Sequence, residues 1–491
     1  MNFTHSDESI VKLKTDVLVV GKFKGEKLSG QAKKINEALG GILNQLAVDE
    51  EFEGDPGRGV MVNSTFGKIG AKRVLLLGLG DKAKFTSDIV RKSGISAAKK
   101  VRNFCSTIAF GSELCDGRGF VSALAEGLML GVYDFNKYKS ESVERTGIDR
   151  VVLLSAGIKD KVFDKEVGFA KAVSESTNLA RDLVNEPPVY MTPAKLAEAA
   201  ETIAEEGKLE CEIFNLEEIR KRGMGGLMAV SSGSDEEPRF IHLKYEPSRK
   251  PKKNLAIVGK GITFDSGGLC LKPADSMRTM KMDMAGAAAV IGVMKAISAL
   301  KPSVRVHGLI ASSENMTGPK AYKPDDVIKA YNGKTIEVIN TDAEGRIVLS
   351  DALSFAVEQV KADEIVDLAT LTGACMVGLG THTAGLMGNN RKLIDSLKRA
   401  SEKAGEKIWE LPMDDELRTE IKSEVADIKN AGSRWGGAIT AAMFLENFVG
   451  DTPWAHIDIA GPAYTEKDSS WEPIGGTGFG VRTVINYILG G

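Results

Sequence analysis

The residues with the clearest capacity for chemistry lie between Asn340 and Arg346, in the string Asn-Thr-Asp-Ala-Glu-Gly-Arg. Asp342 and Glu344 are two apart, so in an extended turn both carboxylates can point at one spot. Gly345 lets the backbone come close, and Arg346 sets a fixed cation beside them. Two carboxylates converging in a crevice raise each other's pKa unless a cation sits between them. The segment therefore reads in two ways, as a metal site or as an acidic turn capped by a solvated arginine. A second run, Lys260-Gly-Ile-Thr-Phe-Asp265-Ser-Gly-Gly-Leu-Cys-Leu-Lys272-Pro, sets a carboxylate between two lysines. Gly259, Gly261, Gly267 and Gly268 permit turns closed to other residues, but the Gly-Lys-Ser/Thr ending of a phosphate loop is absent. Downstream, Met280-Lys-Met-Asp283 enters a helix rich in small residues, which puts Asp283 at or near its N-terminus. Taken singly, these are an exposed lysine, a capping aspartate and a close-packed Ala/Gly helix.

The flanking patterns say how such residues are held. Thr335 to Ile339 alternates and is β-branched, which predicts a strand. From Ile347 to Lys361, Leu349, Leu353, Ala356 and Val360 recur at helical spacing. The heptapeptide is thus a strand-to-helix turn, and in open α/β sheets ligands bind beyond the carboxyl ends of strands. Leu255 to Gly259 is the strand feeding the second run. Further strand runs appear at Cys211 to Phe214, Arg239 to Tyr245, Val304 to Ile310, Glu364 to Leu368 and His456 to Ile459, with helical runs between them. Such alternation predicts an α/β protein with a mostly parallel central sheet covered by helices on both faces.

Residues 1–165 read as a smaller N-terminal α/β domain of assembly or regulatory role. Val17 to Val20, Arg73 to Leu77 and Val151 to Leu154 are its strand runs, and Ala123 to Val132 is helical. The lone Gly78-Leu-Gly80 lacks the rest of a dinucleotide fingerprint. Residues 166–190 form a connecting helix and linker, with Ala170, Val173, Thr177, Ala180 and Val184 on one face and Asn185-Glu-Pro-Pro188 as the stop. Residues 191–491 form the larger C-terminal domain. Thr192 and Pro193 start its first helix, which Gly207 closes.

At 491 residues, two or three domains are expected. A net charge of -3 gives no global indication of nucleic acid binding. No apolar run reaches the roughly 18 residues of a membrane span, and Met1 to Glu8 lacks the pattern of a signal peptide. The five cysteines are scattered without a Cys-x-x-Cys pair, which suits a reducing cytoplasm. Asn63-Ser-Thr65 and Asn315-Met-Thr317 match the glycosylation pattern by chance. The five histidines are dispersed and structural, and no His-Glu-x-x-His motif competes with the carboxylates for a metal.

Together, Lys260-x4-Asp265-x6-Lys272, Met280-x2-Asp283 and Asp342-x-Glu344-x-Arg346 closely resemble the leucine aminopeptidase (cytosol aminopeptidase) family. The likeness extends to Asn185-Glu-Pro-Pro188, Thr370-Leu-Thr-Gly373 and His456-Ile-Asp-Ile-Ala460-Gly, and covers residues 178–491. It implies a dinuclear metallo-exopeptidase that removes leucine or other hydrophobic residues from peptides with a free N-terminus. The two divalent ions implied are usually zinc, with manganese, magnesium or cobalt accepted at the more labile position. Asp265 and Glu344 would bridge them, Asp342 would bind the first, and Lys260 and Asp283 the second. Lys260 would have to lose its proton, which burial and nearby cations favour. A water bridging two metals has a lowered pKa. Lys272 would stabilise the oxyanion, and Arg346 would hold bicarbonate as the proton acceptor. The first substrate side chain would meet Met280, Thr370, Gly373, Ala460 and Ala463, while main-chain groups of Leu371 and Gly373 would hold its backbone. The resemblance also implies a cytoplasmic homohexamer. The alternatives are a two-metal phosphoesterase, or a scaffold or DNA-binding assembly that keeps the fold.

Overall fold

Val17 to Val20 and Val74 to Leu77 are apolar at every position, so they suit strands buried on both faces. Successive side chains of a strand point to opposite faces. Val17, Val19, Leu75 and Leu77 accordingly enter one core, and Leu18, Val20, Val74 and Leu76 the other. The computed structural model in which this is seen describes residues 1–141, 146–155, 157–469 and 471–490. It divides into two units, Met1–Glu175 with Lys467–Pro473, and Ser176–Glu466 with Ile474–Gly491.

The first unit holds strands β1 (Asn2–Ser6), β2 (Thr15–Phe23), β3 (Gly59–Val62), β4 (Ala71–Gly80), β5 (Thr107–Phe110) and β6 (Arg150–Leu154). They form one six-stranded sheet in the order β1-β6-β5-β2-β4-β3. Every pairing is parallel except that of β3 with β4. The division falls after Glu175, within the connecting segment expected over residues 166–190 and inside helix Asp160–Asn185. Nothing in an unbroken helical pattern marks such a division. Lys467–Pro473 joins the first unit from far along the chain, which local pattern cannot reveal either.

In the second unit Thr192 Oγ1 accepts from the Lys195 N–H, and Pro193 opens helix Pro193–Gly207. Gly207 is itself helical. The left-handed residue that ends the helix is Lys208, at φ 53°. The strands that follow are β7 (Glu210–Phe214), β8 (Arg239–Tyr245), β9 (Asn254–Asp265), β10 (Arg305–Asn315), β11 (Val327–Lys329), β12 (Thr335–Glu337), β13 (Glu364–Ala369), β14 (Thr383–Gly388), β15 (Lys407–Glu410), β16 (Ile428–Lys429) and β17 (Trp454–Asp458). An eight-stranded sheet runs β15-β14-β17-β13-β9-β10-β8-β7. Its centre, β17-β13-β9-β10, is parallel. Antiparallel pairings lie to either side, β14 with β17 and β8 with both β10 and β7.

Two expectations about the site's supports are corrected. The strand before the heptapeptide ends at Glu337 and belongs to a separate three-stranded sheet, β11-β12-β16. A period of two identifies a strand but not its sheet. The expected turns at Gly259 and Gly261 are also absent, since both lie inside β9. They allow close packing instead. A Cβ on Gly259 would stand 2.7 Å from the Gly286 carbonyl oxygen, and one on Gly286 would stand 2.0 Å from the Leu368 carbonyl oxygen. Helix Ala285–Leu300 can therefore lie directly on β9 and β13, which explains its small residues. Gly267 and Gly268 do turn the chain, at φ 88° and 63°. The stretch Met280–Leu300 is long and apolar enough to span a membrane by composition, but most of it is buried as the core helix of this unit.

Candidate metal centre

β9 carries Lys260 in its interior and Asp265 at its carboxyl end, where its neighbours β10 and β13 are parallel to it. The Lys260 side chain is buried, and Nζ donates to Asp283 Oδ1 at 2.8 Å and to the Thr370 carbonyl at 3.0 Å. It also lies 2.9 Å from Glu344 Oε1. Asp283 sits in the 3-10 turn Met280–Met284 that leads into the core helix, and Thr370 Oγ1 donates to its Oδ1 at 2.8 Å. Lys272 Nζ lies 2.8 Å from Asp265 Oδ2 and 2.6 Å from Asp342 Oδ1. Asp265, Asp342 and Glu344 present carboxylate oxygens within 4.8 Å of one another, and Asp283 is tied to them through Lys260. The exposed lysine and the merely capping aspartate are thus set aside by burial. Gly345 is needed for this convergence, because a Cβ there would lie 2.5 Å from Lys260 Cε.

Burial alone works against the Lys260 ammonium, as the sequence suggested. Asp283, Glu344 and Asp265 outweigh it, so its pKa is raised rather than lowered and the proton stays. For Lys272 too, burial is outweighed, by Asp265 first, and the charge is held firmly. Glu344 Oε2 is buried without a hydrogen bond. Asp283 Oδ2 and Asp342 Oδ1 likewise lack hydrogen-bond geometry, although each lies within ion-pair distance of an ammonium. Buried acceptors without donors are costly unless a cation meets them. Carboxylate oxygens with one amine suit zinc, manganese, magnesium or cobalt, so the residues fit a divalent ion.

Arg346 feels Glu344 first and Asp458 next, while Lys260 pairs with Glu344 and Lys272 with Asp342. Arg346 Nη1 donates to the Asn430 carbonyl at 2.9 Å, and burial lowers the pKa to about 10 against the pull of Glu344 and Asp458. It remains a cation at neutral pH.

Spacing gave no hint of the groups that shape the heptapeptide. Asn430, wholly buried just beyond β16, accepts at Oδ1 from the Ile339 N–H (2.7 Å) and the Asn340 N–H (3.3 Å). Its Nδ2 donates to the Asn340 carbonyl at 2.7 Å. The Thr341 carbonyl accepts from Tyr322 Oη at 2.7 Å and from Asn315 Nδ2 at 3.0 Å. Asn315 Nδ2 also donates to Asp265 Oδ1 at 2.8 Å, so one amide holds both acidic runs. Asn315 is fully buried, consistent with the chance reading of its glycosylation pattern.

The expected substrate-side residues separate. Met280 lines a cavity of about 540 Å³ with Pro188, Phe264, Met277, Tyr464 and Ile474. Thr370, Leu371, Gly373, Ala460 and Ala463 are not in its lining. Thr370 serves Asp283 and Lys260 instead. Of the Leu371 main-chain groups, the N–H is donated to Asp458 Oδ1 at 3.1 Å. Gly373 is exposed at the start of helix Gly373–Leu379 with open space around it. Ala460 and Ala463 are buried. His456 is buried against Asp367, and His242 pairs with His307.

Fold and site together define a two-unit α/β protein with a buried, lysine-neutralised acidic centre beside a half-apolar cavity. Residues 178–485 match the model of the cytosol aminopeptidase family, catalytic domain, and residues 19–142 that of its N-terminal domain. The chain belongs to the cytosol aminopeptidase family, which makes it an aminopeptidase and a hydrolase. A probable cytosol aminopeptidase of Aquifex aeolicus is 47% identical, with 96% of each chain covered. One of Persephonella marina is 45% identical over 100% of this chain and 99% of its own. Among solved structures, a tomato leucine aminopeptidase mutant superposes with a TM-score of 0.90 at 35% identity, covering 100% of this chain and 96% of that one. The bottromycin maturation enzyme BotP in complex with Mn gives 0.85 at 34%, covering 97% and 99%.

Because Asn430 supplies both donor and acceptor to the heptapeptide, Asn430→Ala is expected to loosen that turn before it unfolds the unit. Amide exchange over residues 339–346 should quicken by about tenfold or more, roughly the loss of one to two net hydrogen bonds. Unchanged exchange there, read by hydrogen–deuterium mass spectrometry, would show that the turn holds itself.

Proposed function

We propose that the chain is a metal-dependent aminopeptidase that releases leucine and other hydrophobic residues from peptides with a free N-terminus. The observation that carries this is the group of buried Asp265, Asp283 and Glu344 with half-buried Asp342, gathered around Lys260 and Lys272 in a member of the cytosol aminopeptidase family. Two divalent ions, zinc or manganese first and magnesium or cobalt as substitutes, would be held by Lys260, Asp265, Asp283, Asp342 and Glu344. The manganese complex of the similar BotP supports such loading. Bound there, divalent ions supply Lewis acidity and activate water near neutral pH.

This chain's own side chains do the rest. Lys272 keeps its proton and can donate to an oxyanion formed beside Asp265 and Asp342. Arg346 keeps a fixed positive charge and spends one Nη on Asn430, leaving other N–H groups for an anion such as bicarbonate that accepts the proton. Lys260 must give its proton away to act as a ligand, so its carboxylates hold that proton until cations replace it. The apolar walls supplied by Phe264, Met277, Met280 and Ile474 support a hydrophobic first residue. Unpaired cysteines and the family's name support a cytoplasmic location. Assembly as a homohexamer belongs to the same reading, and a sedimentation mass of one chain across working concentrations would refute it.

Lys272→Ala should lower kcat by about a hundredfold or more with metal content unchanged, because its charge acts on the transition state. Metal loss equal to that of Asp283→Ala would reverse the roles given to the two lysines. A free α-amine is the feature that separates this reading from an endopeptidase. Leucyl-peptides should be cleaved at least ~10³-fold faster than their N-acetylated forms, about 4 kcal/mol in barrier, and chelation should abolish both rates. Equal rates on the paired substrates would sink the exopeptidase reading, and full activity after chelation would sink the metal.

A further inference from the structure

Asp458 ends β17 and is wholly buried. Its Oδ1 accepts from the Leu371 N–H and the Ala460 N–H, each at 3.1 Å. Its Oδ2 accepts from Thr372 Oγ1 at 2.7 Å. One carboxylate therefore joins two segments, the loop after β13 and the turn after β17, on which the family resemblance would put the substrate. Thr372 passes the restraint on, since Oγ1 also accepts from the Cys375 N–H and caps helix Gly373–Leu379.

What lets a carboxylate stand here is a row of buried charge behind it. His456 precedes Asp458 by two on β17, on the same face. It lies opposite Asp367 in the parallel register with β13, and its Nδ1 is 2.5 Å from Asp367 Oδ1. Asp367 Oδ2 accepts from Trp454 Nε1 at 2.7 Å. Burial opposes a charged His456, but Asp367 and then Asp458 outweigh it and hold its proton more firmly than usual. Arg346 feels Asp458 as well. Asp367 and His456 thus face each other across β13 and β17, with Asp458 two residues on.

We propose that Asp458 is the positioning residue for substrate. It turns the Leu371 N–H inward, leaves the Leu371 carbonyl and the Gly373 N–H as the main-chain groups offered to a peptide, and locks them against Ala460. This rests on the aminopeptidase reading. Asp458 touches no substrate, and its three charge-assisted bonds act on where the loop stands. A near-isosteric amide keeps one acceptor oxygen but cannot accept from Thr372 as well.

The test uses the metal-loaded full chain and steady-state kinetics on leucyl-peptides, with metal content and thermal unfolding measured in parallel. In Asp458→Asn and in Thr372→Val, KM should rise about tenfold while kcat stays within about twofold and metal content matches wild type. Thr372→Ser should restore KM, because it keeps the hydroxyl. If Asp458→Asn does not fold, the Thr372 pair decides alone. A wild-type KM in Thr372→Val, whatever its melting temperature, would overturn the positioning role and leave the peptidase reading intact. A wild-type enzyme inert toward leucyl-peptides would overturn both.

Discussion

Everything at the centre depends on gathering four carboxylates where burial pushes the pKa of Asp283, Glu344 and Asp342 upward. At an effective dielectric of about 20, two like charges 4 Å apart repel by about 4 kcal/mol, and burial adds its own cost. Lys260 and Lys272 answer this by each bridging carboxylates from different segments. Four carboxyl groups share two ammonium groups, and Glu344 Oε2 still lacks any donor, which is the feature a divalent cation would satisfy under the proposed reading.

Charges so close must be held still, and the supports come from four separate stretches of chain. β9 brings Lys260 and Asp265, and the 3-10 turn Met280–Met284 brings Asp283. The small sheet β11-β12-β16 brings the heptapeptide, and the loop after β13 brings Thr370. Asn315 and Asn430 are the fasteners between them. Each is a neutral amide able to donate and accept at once, so it restrains a turn without adding to the crowd of charges.

Much of this was legible in the sequence, and most of the failures have a common cause. Period and capping signals located six strands of the central sheet but not β14 and β15, and they found the Thr192-Pro193 helix start and the stop at Asn185. The spacing of Asp265, Asp283, Asp342 and Glu344 was informative because each lies near the end of an element or on a turn, and Lys260 follows from Asp265 along the same strand. What could not be read was partnership across distance. β12 looked like a member of the main sheet because strand pattern says nothing of neighbours. Asn430 and Asp458 sit far along the chain from the Asn340 and Leu371 groups they hold, and the Asn430 carbonyl that takes the Arg346 guanidinium is equally distant.

A lysine can work this deep only because its path is cleared. A buried side chain of that length needs room for its stem as well as partners for its head. At Gly345 a Cβ would lie 2.5 Å from Lys260 Cε, and at Gly286 one would lie 3.0 Å from the Lys260 N. Each glycine is the second residue of its helix, the one that carries Glu344 and the one that follows Asp283; Gly345 makes room for the amine and Gly286 for the Lys260 backbone. Metal chemistry and close packing are therefore one constraint here. The sequence Ala-Glu-Gly-Arg places a ligand and a gap side by side, and neither would serve the centre without the other.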